Sequence, residues 1–261
     1  MNGADSLLLR TDAQGVATLM LNHPTARNAL SLAMMGALHD AILAAGEDPD
    51  VRVIVLGAAG PAFCAGHDLK EIRANADPGF HAVLMQRCVD LMLSIVRCPK
   101  PVIACVQGIA TAAGCQLVAT CDLAVASEGA RFATPGVNIG LFCSTPMVAL
   151  SRNLANKHAM EMLLTGDLLS AAEAWRMGLV NRVVPAEQLD ATVTALALKV
   201  AAKSGSALTI GKRAYYEQAE MKLEDAYRHA AQVMVRNLQT ADAAEGIDAF
   251  IQKRPACWVD R

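Results

Sequence analysis

Nine residues, Phe63-Cys64-Ala65-Gly66-His67-Asp68-Leu69-Lys70-Glu71, follow the apolar run Val51-Arg52-Val53-Ile54-Val55-Leu56-Gly57. The order predicts a strand, a loop of small residues and then a helix. Such a junction leaves backbone N–H groups open to a closely approaching ligand. A second junction of this kind runs from Gly108 to Gln116. Two loops can aim separate N–H groups at one oxygen, which stabilises an enolate or a tetrahedral oxyanion. One such donor contributes roughly 2.7–4 kcal/mol to a transition state.

Other chemistry is poorly supported. Gly205 to Arg213 ends in Gly-Lys-Arg, but five residues separate the glycines and no hydroxyl follows the lysine. A phosphate-cradling loop needs four intervening residues and then Ser or Thr. There is no G-x-G-x-x-G for a dinucleotide and no G-x-S-x-G elbow. The six histidines are scattered, so neither a metal site nor a separate cofactor is expected. Cys143-Ser144-Thr145 offers nucleophile types without a paired base, and reads better as a loop and helix cap.

The elements that hold these loops follow from patterning. Leu7–Arg10 and Val16–Leu21 flank Thr11–Gly15 as a hairpin. Ser31 caps a helix running to about Ala45, and a long helix fits Phe80 to Val96 before Cys98-Pro99-Lys100-Pro101. Strands are expected at Val51–Gly57, Val102–Val106, Leu123–Ala126 and Leu179–Val184, with a short helix from about Ala112. This rhythm argues for an α/β layer architecture. Ser170-Ala171-Ala172-Glu173 is a capping box, and Gly178 ends its helix. From Glu187 onward the pattern is helical, with breaks at Ser204-Gly205-Ser206 and near Thr240.

Bulk properties bound the partners. The chain has 261 residues, a net charge of -2 and a hydrophobic fraction of 54%. It can build a sizeable core, and its balance attracts neither nucleic acid nor an anionic membrane. No segment reads as membrane-inserted, and no leader is expected at Met1–Asp5. None of the eight cysteines forms a C-x-x-C pair. They read as reduced, mostly buried thiols in the cytoplasm.

The chain resembles the crotonase (enoyl-CoA hydratase/isomerase) superfamily in five segments that occur in family order. These are Leu21–Ser31, Ala62–Glu71, Pro99–Ala104 leading to Gly108–Asp122, Leu169–Pro185, and Glu245–Arg254. The combination of Gly66-His67-Asp68-Leu69-Lys70-Glu71 with Ala133–Pro146 is most similar to the enoyl-CoA hydratase domain-containing protein 3 subgroup. The resemblance implies a ClpP-like spiral of ββα units with a C-terminal helical trimerisation region. It divides the chain into an acyl-CoA-binding core, 1–195, and an oligomerisation region, 196–261. It implies an acyl-CoA thioester as ligand, coenzyme A being part of the substrate, and a homotrimer or dimer of trimers.

Residue by residue, the resemblance maps two oxyanion-binding N–H groups to His67 and Ala113. Ala26 and Arg27, with Ala65, Asp68, Leu69 and Lys70, match segments that grip coenzyme A. Ala112, Pro135 and Cys143 are further substrate-binding positions by the same resemblance, while Phe250 and Lys253 match a last helix that reaches a neighbour's ligand. The family's two catalytic glutamates map to Gln116 and Gly136. Gln cannot exchange a proton near neutral pH, and Gly has no side chain. Ordinary enoyl-CoA hydration is therefore not expected. Three outcomes stay open: a hydratase/isomerase-type enzyme working through an enolate, a short-chain acyl-CoA decarboxylase or thioesterase using His67, and a non-catalytic acyl-CoA binder. Bland readings stand beside these roles. The His67 ring can be idle, Gln116 can support the loop, Asp68 can be a helix cap, and Cys143 can be an inert packed thiol.

Overall fold

The computed structural model describes residues 6–260. The expected leader-free N-terminus falls on residues 1–5, outside them. Strands β1 (Leu8–Ala13) and β2 (Val16–Leu21) form the predicted hairpin. They meet at Gln14-Gly15, both with positive φ, as a two-residue turn matched to strand twist requires. The loop is thus shorter than the expected Thr11–Gly15. Helix α1 (Leu32–Glu47) starts at Ser31, whose hydroxyl accepts from the Met34 N–H.

Three units follow in which a long strand precedes a short one and then helix. The first is β3 (Val53–Ala58), β4 (Ala62–Cys64), α2 (Leu69–Ala74) and α3 (Pro78–Arg97). The second is β5 (Val102–Val106), β6 (Ile109–Thr111) and α4 (Ala113–Thr120). The third is β7 (Leu123–Ser127), β8 (Arg131–Ala133), α5 (Ser144–Asn153) and α6 (Asn156–Thr165). Next come β9 (Leu169–Ser170), α7 (Ala171–Met177) and β10 (Arg182–Val184). The chain closes with α8 (Leu189–Ala201), α9 (Gly205–Gln218), α10 (Leu223–Leu238) and α11 (Ala241–Gln252).

The long strands make a six-stranded sheet in the order β1-β2-β3-β5-β7-β10, parallel except for the hairpin. The short strands make a second sheet, β4-β6-β8-β9. Alternation splits the large sheet. Ile54, Leu56, Val102 and Ala104 face the main core with α1, α3 and α4. Val53, Val55, Ile103 and Val125 face α8 through Leu189, Val193 and Ala197. Residue 195 lies inside α8, so the helix that carries the core boundary is itself packed on the sheet. Helix α3 is long and apolar enough to cross a bilayer. Its buried stripe of Leu84, Cys88, Leu91, Met92 and Ile95 accounts for that composition within the core.

The last three helices are held by a few polar ties. Lys212 donates to the carbonyls of Ile95 and Lys100 and to Asp122 at 2.7 Å, and the Tyr216 hydroxyl donates to the same carboxylate. This lysine of the Gly-Lys-Arg stretch is thus fully engaged in mid-helix. Asp242 on α11 accepts from Ser204 and from the Val259 and Asp260 N–H groups, while Asp260 pairs with Arg52. Neither α9 nor α10 buries a residue completely.

Candidate functional site

Strands β4, β6 and β8 are parallel neighbours, so the turns leaving their C-terminal ends lie side by side. The first turn is Ala65-Gly66-His67, the second Ala112-Ala113, the third Thr134-Pro135-Gly136. Gly66 has φ +90 and touches the second turn. A Cβ there would lie 2.9 Å from the Thr111 carbonyl oxygen and 3.2 Å from the Ala113 nitrogen. One helical position later, a Cβ on Gly114 would lie 2.1 Å from the Cys64 carbonyl oxygen. Only glycine permits these two approaches.

Both expected donors are free of backbone partners among the described residues. Leu30 donates to the Gly66 carbonyl and Asp68 donates to the Leu30 carbonyl. The His67 N–H lies between these two bonds and makes none. Ala113 is the first residue of α4, where an N–H has no intrahelical acceptor. Ala112 donates to the Ala133 carbonyl and takes φ 50, ψ -120, a conformation that suits glycine better than alanine. Strain of about 1–3 kcal/mol is typical of such a residue. Here it turns the chain so that α4 begins facing Gly66, and the helix dipole adds positive potential at that end.

The His67 side chain is packed inward. Neither ring nitrogen is exposed or has a hydrogen-bond partner among the described residues. Burial pushes its pKa down, against a smaller upward pull from the Leu30 backbone. The ring is therefore neutral at pH 7. Gln116 lies one turn beyond Ala113 and is 4% exposed. Its Oε1 accepts from the Cys88 thiol at 3.8 Å, a long contact typical of sulfur. Cys88 is protonated, because burial raises its pKa to about 11 despite the Thr145 side chain, which pulls it down.

Gly136 is buried, and the space a side chain would need is filled. A Cβ there would meet the Leu141 carbonyl oxygen at 2.7 Å and Cys143 Sγ at 2.9 Å. The segment folds back on itself, with Leu141 donating to the Gly136 carbonyl. Cys143 is 7% exposed, and burial raises its pKa above the usual thiol value. It is a packed thiol rather than a thiolate nucleophile. Ser144 is exposed at the first turn of α5, and its hydroxyl donates to the Phe142 carbonyl.

The remaining expected residues divide into two groups. Ala65 is brought to the site: its N–H donates to the Arg27 carbonyl and its carbonyl accepts from Thr111. Ala26 and Arg27 form the turn beside it, with the exposed Arg27 at φ 52. Asp68 caps α2 through the Lys70 and Glu71 N–H groups, while Leu69 and Lys70 are exposed on that helix. Pro135 begins the 3-10 turn Pro135–Ile139. Phe250 lies on α11 and is 85% exposed, and Lys253 is the C-cap of that helix at φ 54.

Three contributors escaped the sequence reading. Asn28 is fully buried at φ 53. Its side chain accepts from the His23 N–H and donates to the Ala59 and Ala62 carbonyls, fixing the Arg27 turn against β4. An Asn after an exposed Arg at a helix approach was the available signal. Cys88 was hidden within an ordinary apolar stripe. His81 shares that face of α3 two turns earlier, and its Nε2 is buried without a partner among the described residues.

A family model described as enoyl-CoA hydratase/isomerase matches residues 11–261. "Enoyl-CoA hydratase domain-containing protein 3, mitochondrial" from Rattus norvegicus is 50% identical over 94% of this chain and 81% of its own length. A crystal structure of an enoyl-CoA hydratase from Mycobacterium smegmatis superposes with a TM-score of 0.95 at 53% identity, covering 97% of this chain and 99% of that one. The human enoyl coenzyme A hydratase domain-containing protein 3 superposes with a TM-score of 0.94 at 46% identity, covering 97% and 100%. These findings overturn the expected cytoplasmic location, since the rat relative and other vertebrate proteins of that name are called mitochondrial. Free thiols argue for a reducing compartment and do not distinguish one such compartment from another.

Proposed function

Because this chain belongs to the enoyl-CoA hydratase/isomerase family, and has its crotonase fold, we propose that it is an enzyme acting on an acyl-CoA thioester. The N–H groups of His67 and Ala113 bind the thioester oxygen and stabilise the enolate or oxyanion formed from it. The observation that carries this reading is the contact of Gly66 with the Ala113 nitrogen, beside two N–H groups that have no backbone acceptor among the described residues. Ala26, Arg27, Ala65 and Lys70 hold the coenzyme A part, and Ala112, Pro135 and Cys143 border the acyl part.

Positions 116 and 136 are where the family's proton-transferring glutamates belong, and here they supply no acid. Gln116 can hydrogen-bond but not take a proton. Position 136 has neither a side chain nor room for one. The chemistry that fits is one in which the enolate arises without a strong side-chain base. Loss of carbon dioxide from a short carboxyacyl-CoA does this, the electrons of the broken C–C bond becoming the enolate. Attack of water on the thioester through a tetrahedral oxyanion that expels the coenzyme A thiol is the other candidate. The buried, neutral His67 ring, whose nitrogens have no partner among the described residues, favours this branch.

The exposed apolar stripe Leu223, Tyr227, Met234 and Leu238 on α10, with Phe250 and Ile251 on α11, supports self-association as a trimer or a dimer of trimers. The spacing of four, seven and four residues puts the α10 positions on one face. Sedimentation at micromolar concentration is expected to show no monomer. The activity is tested by mass spectrometry of products from an acyl-CoA panel that includes enoyl, carboxyacyl and saturated esters. Turnover of a carboxyacyl or saturated ester with little crotonyl-CoA hydration is expected. Binding without turnover across the panel would establish a non-catalytic acyl-CoA binder instead.

A further inference from the structure

Glu71 has no part in the reading above, yet it reaches out of its own helix. Its Oε2 accepts from the Leu32 N–H at 2.9 Å. Leu32 is the first residue of α1, so its N–H has no acceptor within the helix. A carboxylate there gains from a charge-assisted bond and from the positive end of α1. Ser31 caps the same end through the Met34 N–H. The start of α1 is therefore capped twice, once by its own Ser31 and once by a residue of α2.

The stretch that carries the His67 N–H is otherwise lightly held. None of the six residues of α2 is buried. His67 forms an isolated parallel bridge with Leu30. Leu30 donates to the Gly66 carbonyl at 2.8 Å, and Asp68 donates to the Leu30 carbonyl at 3.3 Å. The first of these bonds sets the donor. The Gly66 carbonyl and the His67 N–H belong to one trans peptide, which points them in opposite directions. With the carbonyl held on Leu30, the N–H is aimed away from it. Beyond that peptide, residues 67–74 have two polar ties to the rest of the fold among the described residues, Asp68 to Leu30 and Glu71 to Leu32.

We propose that Glu71 is a positioning residue: by accepting from the Leu32 N–H it locks segment 66–71 in register with the start of α1, and so fixes the direction in which the His67 N–H meets the thioester oxygen. This rests on the acyl-CoA reading and deepens it by naming the side chain that aims one of its donors. Without Glu71 the segment keeps only the longer Asp68 bond beyond Gly66. The 66–67 peptide then rocks, and a hydrogen bond weakens steeply as it leaves alignment.

Infrared difference spectroscopy of bound butyryl-CoA, labelled with 13C at the thioester carbonyl, reads that donor directly. Spectra are taken with the protein saturated, so that weaker affinity alone does not change them. The wild-type carbonyl stretch is expected below its aqueous frequency. Glu71→Ala should lose about half of that shift, the share of one donor in two. Glu71→Gln keeps an acceptor oxygen and should recover most of it. Ser31→Ala removes the other cap of α1; it should lower the midpoint of urea denaturation and leave the carbonyl shift unchanged. Should Glu71→Ala fail to fold, Glu71→Asp, one carbon shorter, must lose the shift instead. A full shift in Glu71→Ala, no recovery in Glu71→Gln, or an equal loss in Ser31→Ala overturns the inference and leaves the acyl-CoA reading intact. A wild-type carbonyl at the aqueous frequency, or no binding of the ester, overturns both.

Discussion

Two neighbouring parts of the short sheet face the same site and are built on opposite plans. After β4 and β6 the chain is thin. Gly66 and Gly114 let main chain touch main chain, and the N–H groups of His67 and Ala113 are left open. After β8 the chain is closed. The Leu141 carbonyl and the Cys143 sulfur press on Gly136, and Leu141 is tied back to Gly136. A feature made of backbone survives any side-chain change that leaves the close contacts alone. A feature made of a side chain needs its volume as well as its chemistry, and at position 136 that volume is gone.

The largest expected effect comes from crowding the thin part. Gly114→Val puts branched carbon where the Cys64 carbonyl oxygen lies 2.1 Å from the Cβ position. It should destabilise the fold by about 3 kcal/mol or more in urea denaturation. A loss below about 1 kcal/mol would mean that the loops do not rely on this contact.

The closed part gives the next test. Introducing acids by Gln116→Glu together with Gly136→Glu should not produce hydration. The new residue 136 side chain collides with Leu141 and Cys143 rather than reaching the ligand. Crotonyl-CoA hydration should stay well below a kcat on the order of 10 per second, which is ordinary for enzymes. Rapid hydration by the double variant would show that the segment opens easily.

A third test uses charge. The folded pKa of His67 lies below its ordinary value of 6.5, chiefly through burial. The unfolded chain therefore binds this proton at higher pH than the folded one does. Stability is fully present above about 6.5 and falls as pH drops from there toward the folded pKa. Denaturation from pH 7.5 to 5 should show this slope in the wild type and a shallower one in His67→Gln. Identical slopes would show that the ring charges freely in the folded state.

The smallest effect tests the strained hinge between the two donors. Ala112→Gly should raise stability by less than about 1 kcal/mol, because relief at φ 50 is partly offset by the freer unfolded chain. Clear destabilisation would mean that the alanine methyl packs more usefully than its backbone is strained.

What could be read in the sequence follows the range of each signal. Ser31 at the start of α1, the Ser170–Glu173 capping box and the αL Gly178 are local devices, and each is found as expected. The two strand–loop–helix turns were legible for the same reason, since small residues cluster around Gly66 and Gly114. Strands β4, β6 and β8, with three residues each, carry no usable alternation, so the second sheet was not seen. The expected strand Leu179–Val184 shrinks to Arg182–Val184, because Leu179 still bonds to the preceding helix at Ala174. Contacts between distant positions left no trace at all. Cys88 against Gln116 and Asn28 against Ala62 need the folded chain to bring them together.

Infrared difference spectroscopy of a bound acyl-CoA carrying a 13C-labelled thioester carbonyl tests the central claim most directly. Two N–H groups converging on that oxygen should shift its stretch to lower frequency than in water. A bound carbonyl that absorbs at the aqueous frequency would contradict an oxyanion site formed by His67 and Ala113.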